Sequence, residues 1–505
     1  MTHISEWAKI GSKITAHREQ KGMTQAGLAR LLKTSQSAVA RMEAGEQNFS
    51  TGTLLKIGKI LDKELITLSD ETVNFKVEGG HKLKGEVKVN TSKNAAVALL
   101  CASLLNKNKT VLKRMPRIEE VYRVIEVLVS LGVSIRWLGN DVEIIPPKKI
   151  NPRHINVEAA MKTRSVLLLL GPLIHLLPAF RIPQPGGCKL GGRTVRPHLL
   201  ALEKLGIKID TKANYYEVLH KRLRPAEIVL YESGDTTTEN VLMAAAKIKG
   251  KTVIKFASAN YMVQDLCDFL TQLGVKIDGV GTTTLTVYGT PEIDKPITYY
   301  PSEDPIEAML FLSIAATTNS SITIKGCPID FLELELLKLE KMGFKFKILR
   351  RYKSANNFTN LVDIRTLPSK LHALEEKIYA RPFPGLNIDN LPFFVPIATQ
   401  AEGQTLIHDW VYENRAIYYM ELNKLGADII LADPHRIYVN GPTRLTGAEI
   451  ICPPALRAAA IILTAMLAAS GTSVLRNVYS INRGYEDLAN RLGKLGARIK
   501  TLRSF

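Results

Sequence analysis

The densest group of reactive side chains in this sequence is Pro185-Gly-Gly-Cys-Lys-Leu-Gly-Gly-Arg193. Four glycines in nine residues give a backbone free to enter conformations that a packed strand or helix denies. One thiol and two cations ride on it, and a thiolate is stabilised by nearby positive charge, so Cys188 between Lys189 and Arg193 is a candidate for an acidified cysteine. Two readings stand side by side. One is a lid that carries an acid or nucleophile over an anionic substrate; the other is a glycine-rich surface hairpin with an incidental cysteine.

A second group opens a series of strongly apolar segments: Lys93-Asn94, Arg164, Glu239-Asn240, Asp304 with Glu307, Asp389-Asn390 and Arg457. Segments this apolar read as helices buried on nearly all sides. The N-terminus of a helix attracts anions through its free N–H groups and macrodipole. Ordinary capping accounts for Asp304 and Asp389. It accounts poorly for Lys93, Arg164 and Arg457, which oppose the dipole unless something strongly anionic binds beside them.

The elements that position these residues repeat. An amphipathic helix, a Leu-Gly or Met-Gly stop and a short alternating strand recur at Gly132, Gly206, Gly274, Gly343, Gly426 and Gly496, spaced 74, 68, 69, 83 and 70 residues apart. Glycine is the expected residue just past a helix end, where a left-handed conformation is needed. A period this nearly held marks one supersecondary unit used six times. Six units with buried helices predict two globular α/β halves of three units each, sheets outside, with a ligand cleft between them.

Residues 7–68 read differently. Apolar residues recur at helical spacing, Thr24 is placed to cap a helix over Gln25 to Leu32, and Ser35 the next over Gln36 to Glu43. Two short capped helices joined this closely are a helix-turn-helix signal. The words Met-Thr-Gln-Ala-Gly-Leu-Ala-Arg-Leu-Leu and Ser-Gln-Ser-Ala-Val-Ala-Arg-Met-Glu-Ala-Gly resemble the Cro/repressor-like helix-turn-helix family. That resemblance implies a second helix entering a DNA major groove with Gln36, Ser37 and Arg41, Gln25 anchoring a phosphate, and a homodimer on paired half-sites. The alternative is a helical bundle kept for dimerisation or protein contact.

The whole chain of 505 residues carries a formal charge of +19, of which residues 1–70 supply +3. The excess therefore lies in the larger part, and it suits nucleic acid or a cleft that collects anionic small molecules. Five scattered cysteines show neither zinc spacing nor a disulfide framework, no signal peptide opens the chain, and no apolar run is long enough to span a membrane. The expectation is a cytoplasmic protein.

Ser92-Lys-Asn-Ala-Ala, the Pro185–Arg193 stretch, Glu413-Asn-Arg415 and Arg483-Gly-Tyr-Glu486 occur in this order. With them, residues 72–505 resemble the enolpyruvyl transferase family, in particular the branch that acts on UDP-N-acetylglucosamine. The resemblance implies two inside-out α/β halves, residues 72–92 with 302–505 and residues 93–301, behind a small all-α domain over 1–70. It implies transfer of the enolpyruvyl group of phosphoenolpyruvate to the sugar 3-hydroxyl with release of phosphate, the first committed step of peptidoglycan synthesis, without cofactor or metal. Lys93, Arg193, Arg457 and Arg483 are the implied anion grips, Cys188 the acid for the enol carbon and Asp389 the base for the hydroxyl. Asn94, Asp304, Val411 and Arg415 belong to the surrounding substrate site, with Arg164 and His198 toward the nucleotide.

The chain departs from the family pattern at several places. Arg196 stands where an acid is usual, Gly234-Asp-Thr236 replaces a Ser-Val-Gly turn that contacts the nucleotide, and Asn260 and Met262 stand for two glutamates. Ala455-Leu-Arg457 replaces Asp-Leu-Arg. These departures fall in the nucleotide-sugar half. They keep two other readings open: a transferase on a related acceptor, and a nucleotide-sugar-sensing regulator that moves its DNA-binding head. The retention of Cys188 and Asp389 speaks against a pure sensor.

Overall fold

The computed structural model describes residues 6–46, 51–61, 72–152, 155–186 and 194–504. The chain divides into two compact units, residues 1–73 with 503–505, and residues 74–502.

Among the described residues the first unit contains four helices, α1 (Glu6–Gln20), α2 (Gln25–Leu32), α3 (Gln36–Ala44) and α4 (Thr51–Leu61). The caps fall where the sequence placed them: Thr24 Oγ1 accepts from Gly27 N–H at 3.1 Å, and Ser35 Oγ from Ala38 N–H at 3.2 Å. Lys33 takes a left-handed conformation (φ 55°) and lets α2 turn into α3. Ile14, Leu28, Val39, Met42, Leu54, Ile57 and Leu61 form the core. A buried ion pair staples it: Arg18 Nε donates to Glu43 Oε1 at 2.5 Å and Arg18 Nη2 to Oε2 at 3.0 Å.

Among its described residues the second unit carries six small sheets. Each of the six predicted helix-stop glycines has a left-handed backbone, with φ between 86° and 97°. In five of the sheets a parallel pair joins an antiparallel pair. A parallel pair needs a crossover connection, and the apolar helices supply it. Strand Glu227–Val229, helix Asp235–Ala245 and strand Gly250–Lys255 form one such unit; Glu449–Ile451, helix Leu456–Ala468 and Gly471–Arg476 form another.

Two repeats exchange strands. Lys84–Lys88 leads into α5 (Lys93–Ala102) but pairs with Ser321–Pro328. Ile297–Tyr299 leads into helix Pro305–Thr317 but pairs with Thr110–Leu112. The two crossings run side by side: Ser92 N–H donates to Ser302 O at 2.8 Å and Asp304 N–H to Asn90 O at 2.9 Å.

The helix openings differ from the sequence expectation at one place. Asp235, not Glu239-Asn240, begins its helix, because the Thr236–Thr238 run continues the helix upstream of the apolar stretch. Among the described residues no helix is long and apolar enough to cross a membrane.

Candidate active site

The openings of the buried helices converge on one cavity of about 600 Å³ in the second unit. Lys93 and Asn94 start α5, Arg164 starts the tight 3₁₀ turn Arg164–Leu169, Asp235 starts its helix, and Arg457 lies in the first turn of Leu456–Ala468. All of them line the cavity, together with Asp389, Arg415 and Arg483. These eight residues, all singled out from the sequence, are thus brought to one place from segments almost 400 residues apart.

Asp389 sits between two guanidinium groups. Arg457 Nη2 donates to its Oδ2 at 3.1 Å, and Arg415 Nη1 lies 3.8 Å from its Oδ1. Burial opposes ionisation, but the charges of Arg457 and Arg415 outweigh it and hold the carboxyl below its usual range. Arg457 is itself 7% exposed and donates through Nη1 to Tyr485 Oη at 2.7 Å. Lys93 and Arg483 line the cavity without a side-chain hydrogen bond to any described residue, so both are available to an anion.

Arg415 faces the cavity but is not a free grip. Its Nε and Nη2 donate to the two oxygens of Asp409 at 2.6 and 2.9 Å, and Nη2 also donates to the carbonyl of Ile388 at 2.8 Å. Tyr419 Oη completes the cluster by donating to Asp409 Oδ2 at 2.6 Å. The guanidinium therefore fixes the backbone that presents Asp389.

Three residues expected at the site stand back from it. Asp304 spends its carboxylate capping helix Pro305–Thr317, accepting from Ile306 N–H at 2.8 Å, and burial pushes its pKa up to about 6 against the pull of Arg457. His198 is buried behind the wall, with Asn240 Nδ2 2.9 Å from its Nδ1 and Thr236 Oγ1 3.4 Å from its Nε2. Burial, and then the charge of Arg164, depress it to about 3. Val411 is exposed, and its neighbour Tyr412 lines the cavity in its place. Cys188 and Arg193 lie outside the described residues. The stretch leading to them packs closely: a Cβ at Gly186 would meet the carbonyl of Met161 at 1.9 Å, so only glycine fits there.

Two of the departures from the family pattern, Asp235 and Asn260, are bonded to each other. Asp235 Oδ1 accepts from Ser258 Oγ at 2.5 Å and its Oδ2 from Asn260 Nδ2 at 3.3 Å. Burial raises the pKa of Asp235 despite these bonds, and the charge of Asp389 adds to the effect. An acid at 235 is thus held by an amide at 260. Ala455 is buried against Ala458, Tyr412 and Tyr418 and starts its helix without a side-chain cap. Glu239, singled out from the sequence at a helix opening, lines the cavity, whereas sequence reasoning missed Glu120 and Lys162. Glu119-Glu120 reads as ordinary acidic first-turn residues of an amphipathic helix, which is the commonest meaning of that pattern. Among the described residues no three His, Cys, Asp or Glu side chains come together as a metal-ligand group.

In the first unit Gln36, Ser37 and Arg41 are exposed on α3. Gln25 is not: its Nε2 donates to Glu43 Oε2 at 2.9 Å, which ties its side chain to the Arg18–Glu43 pair instead of to a phosphate.

Comparison with known proteins gives this arrangement a family. Residues 77–492 match the EPSP synthase (3-phosphoshikimate 1-carboxyvinyltransferase) family, and residues 14–68 a helix-turn-helix family. A UDP-N-acetylglucosamine 1-carboxyvinyltransferase of Bradyrhizobium diazoefficiens is 33% identical over 428 residues, covering 85% of this chain and 98% of the relative. One from Campylobacter lari is 35% identical over 431 residues, covering 85% and 99%. The chain belongs to the UDP-N-acetylglucosamine 1-carboxyvinyltransferase family. Solved structures agree at the level of the fold. The enolpyruvyl transferase NikO from Streptomyces tendae superposes with a TM-score of 0.75 at 23% identity, covering 86% of this chain and 100% of that one. An EPSP synthase from Acinetobacter baumannii does so with a TM-score of 0.66 at 16% identity, covering 85% and 100%. The two family matches do not overlap, one covering residues 14–68 and the other residues 77–492.

Proposed function

We propose that residues 72–505 transfer the enolpyruvyl group of phosphoenolpyruvate to the 3-hydroxyl of UDP-N-acetylglucosamine and release phosphate. The halves are residues 72–92 with 302–505, and residues 93–301. The observation that carries this reading is the convergence of Lys93, Arg457 and Arg483 around Asp389, in a cavity large enough for two small substrates. Phosphoenolpyruvate brings a phosphate and a carboxylate, which cationic side chains and free helix N–H groups accept. Asp389, kept ionised by Arg457 and Arg415, takes the proton of the sugar hydroxyl as its oxygen attacks C2 of phosphoenolpyruvate. Cys188 delivers a proton to C3, giving a tetrahedral adduct. Loss of a C3 proton with departure of phosphate restores the double bond. Arg193 and Arg483 meet the anionic end, Asn94 supports it, and Arg164 faces the nucleotide.

Purified protein given both substrates is expected to release phosphate, and Cys188→Ala to abolish that release. Ligand-dependent protection against unfolding without release in the wild type would overturn the reading in favour of a sensor. The acid held at Asp235 by Ser258 and Asn260 supports a narrower second reading, an acceptor related to UDP-N-acetylglucosamine but different from it.

The first unit is assigned to DNA, with Gln36, Ser37 and Arg41 on the groove-facing helix and a homodimer on paired half-sites. Binding of duplex DNA that weakens steeply with salt and is lost in Arg41→Ala tests it. Both activities are assigned to the cytoplasm.

A further inference from the structure

Glu120 is a buried carboxylate on the wall of the cavity that the proposed mechanism does not use. It lies in the first turn of α6 (Glu119–Ser130). Its Oε1 accepts from Thr163 Oγ1 at 2.5 Å and from Ser165 Oγ at 2.9 Å, the two residues that flank Arg164. Its Oε2 lies 3.7 Å from Arg483 Nε, a buried donor that has no hydrogen-bond partner. Its backbone N–H donates to the carbonyl of Arg483 at 3.4 Å, and three residues earlier Arg117 N–H donates to Glu486 Oε2 at 3.2 Å. Burial opposes its ionisation, yet the charge of Lys93, the bond from Thr163 and the charge of Arg483 together keep its carboxyl below the usual range.

These contacts make Glu120 the common partner of two segments that each bring a cation to the cavity, the 163–165 turn with Arg164 and the 483–486 turn with Arg483, while the charge of Lys93 at the start of α5 acts on the same carboxylate. Lys93 and Arg483 repel one another and have no side-chain hydrogen bond to a described residue that would hold them. The other cavity acids are engaged differently: Asp389 feels the charge of Lys93 only after those of Arg457 and Arg415, and burial pushes Glu239 well above the usual carboxylate range. Asp389 is paired with Arg457 and lies beside Arg415, and Asp235 accepts from Ser258 and Asn260.

We propose that Glu120 is a positioning residue for the anion-binding end of the site: its carboxylate keeps Lys93 and Arg483 side by side and fixes the turn that presents Arg164. The proposal rests on the assignment of phosphoenolpyruvate to this cavity. Before an anion arrives, Glu120 supplies the negative charge around which the cations are arranged, so little rearrangement is left for binding.

The test is a double-substitution cycle on the full chain, Glu120→Gln with Arg483→Gln, read in KM for phosphoenolpyruvate and for UDP-N-acetylglucosamine. Glu120→Gln is expected to raise KM for phosphoenolpyruvate about tenfold and to leave KM for the nucleotide sugar within about twofold. In the Arg483→Gln background it adds much less than it does alone. Glu120→Asp keeps the charge and restores part of the loss. Ser165→Ala, a milder change, moves the same KM in the same direction. A fall in KM for phosphoenolpyruvate, parallel rises in both KM values, or fully multiplicative effects in the cycle would each overturn the proposal. If the wild type binds phosphoenolpyruvate in calorimetry but releases no phosphate, the transferase reading fails and the same cycle is read in Kd for phosphoenolpyruvate, with the same outcomes deciding. A wild type that neither turns over nor binds phosphoenolpyruvate overturns both.

Discussion

Arg457 and Asp389 are bonded at 3.1 Å although they lie 68 residues apart and on separate buried helix openings. The relationship is reciprocal: the carboxylate is held ionised against its burial, and the guanidinium is held against the floor of the cavity by this bond and by Tyr485. A base that is fully ionised well below neutrality gives a flat pH profile for the proton it accepts. Arg457→Met removes the larger of the two countercharges. The acid limb of kcat/KM is then expected to move to higher pH, and the rate at neutral pH to fall; an acid limb that stays in place would show that Asp389 is not the titrating base.

Ala455 leaves the helix that carries Arg457 without a side-chain cap. Aspartate at that position would accept from the free N–H groups of the first turn. Ala455→Asp is therefore expected to raise stability by about 1 kcal/mol, measured by denaturant titration. It also brings a second acid beside Asp389. Phosphate release that rises in this variant would show that the alanine costs activity on UDP-N-acetylglucosamine; release that falls would favour a different acceptor.

Asp235 carries a charge that burial disfavours. A carboxyl whose folded-state pKa lies above its unfolded value costs stability as pH rises through the interval between the two. Asp235→Asn keeps the acceptor for Ser258 and removes the charge. The variant is expected to melt higher than the wild type at pH 7 to 8, and the advantage to shrink as the pH falls toward the ordinary aspartate range, about 4. An advantage independent of pH would mean that burial of charge is not its source.

In the helix-turn-helix unit, Glu43 joins Arg18 and Gln25 across three helices. Burial opposes its ionisation, and the bonds from Arg18 and Gln25 outweigh it, so its folded-state pKa lies below the unfolded value. Its stabilisation is complete above the unfolded pKa and is lost as pH falls through the folded one. Glu43→Gln is expected to cost this unit roughly 3 kcal/mol. Thermal unfolding followed by a probe placed in α3 checks it, with the melting of the larger unit as the internal reference.

Much of this architecture was readable from the residues. The six glycines after Leu or Met were legible because a left-handed helix stop has one favoured residue, and Thr24 and Ser35 because a cap needs a short side chain with an oxygen. The helix openings with opposing cations marked Lys93, Arg164 and Arg457 for the same physical reason. Strand partners were not legible. The period of about 70 residues is the same whether Lys84–Lys88 pairs within its own repeat or with the strand Ser321–Pro328, as it does. Glu120 was hidden because its partners at 163, 165 and 483 are distant in sequence. Arg415 shows the converse: the family resemblance implied only that it belongs to the substrate site, and the positions of Asp409 and Ile388 reveal what occupies it.

The exchanged strands leave two chain crossings at residues 90–92 and 302–304, laced together by backbone hydrogen bonds. A single tether would leave the parts it joins free to twist and tilt in any direction. Two tethers tied side by side act like the leaf of a door hinge, stiff to twisting and sideways sliding and soft only to bending about the line between them. Because Asp304 caps one helix from within this lacing and Lys93 opens another immediately after it, any swing of that hinge carries the two buried helices with it. The lacing therefore ties the opening of α5, with Lys93, to the opening of helix Pro305–Thr317, so that a displacement of one is passed directly to the other.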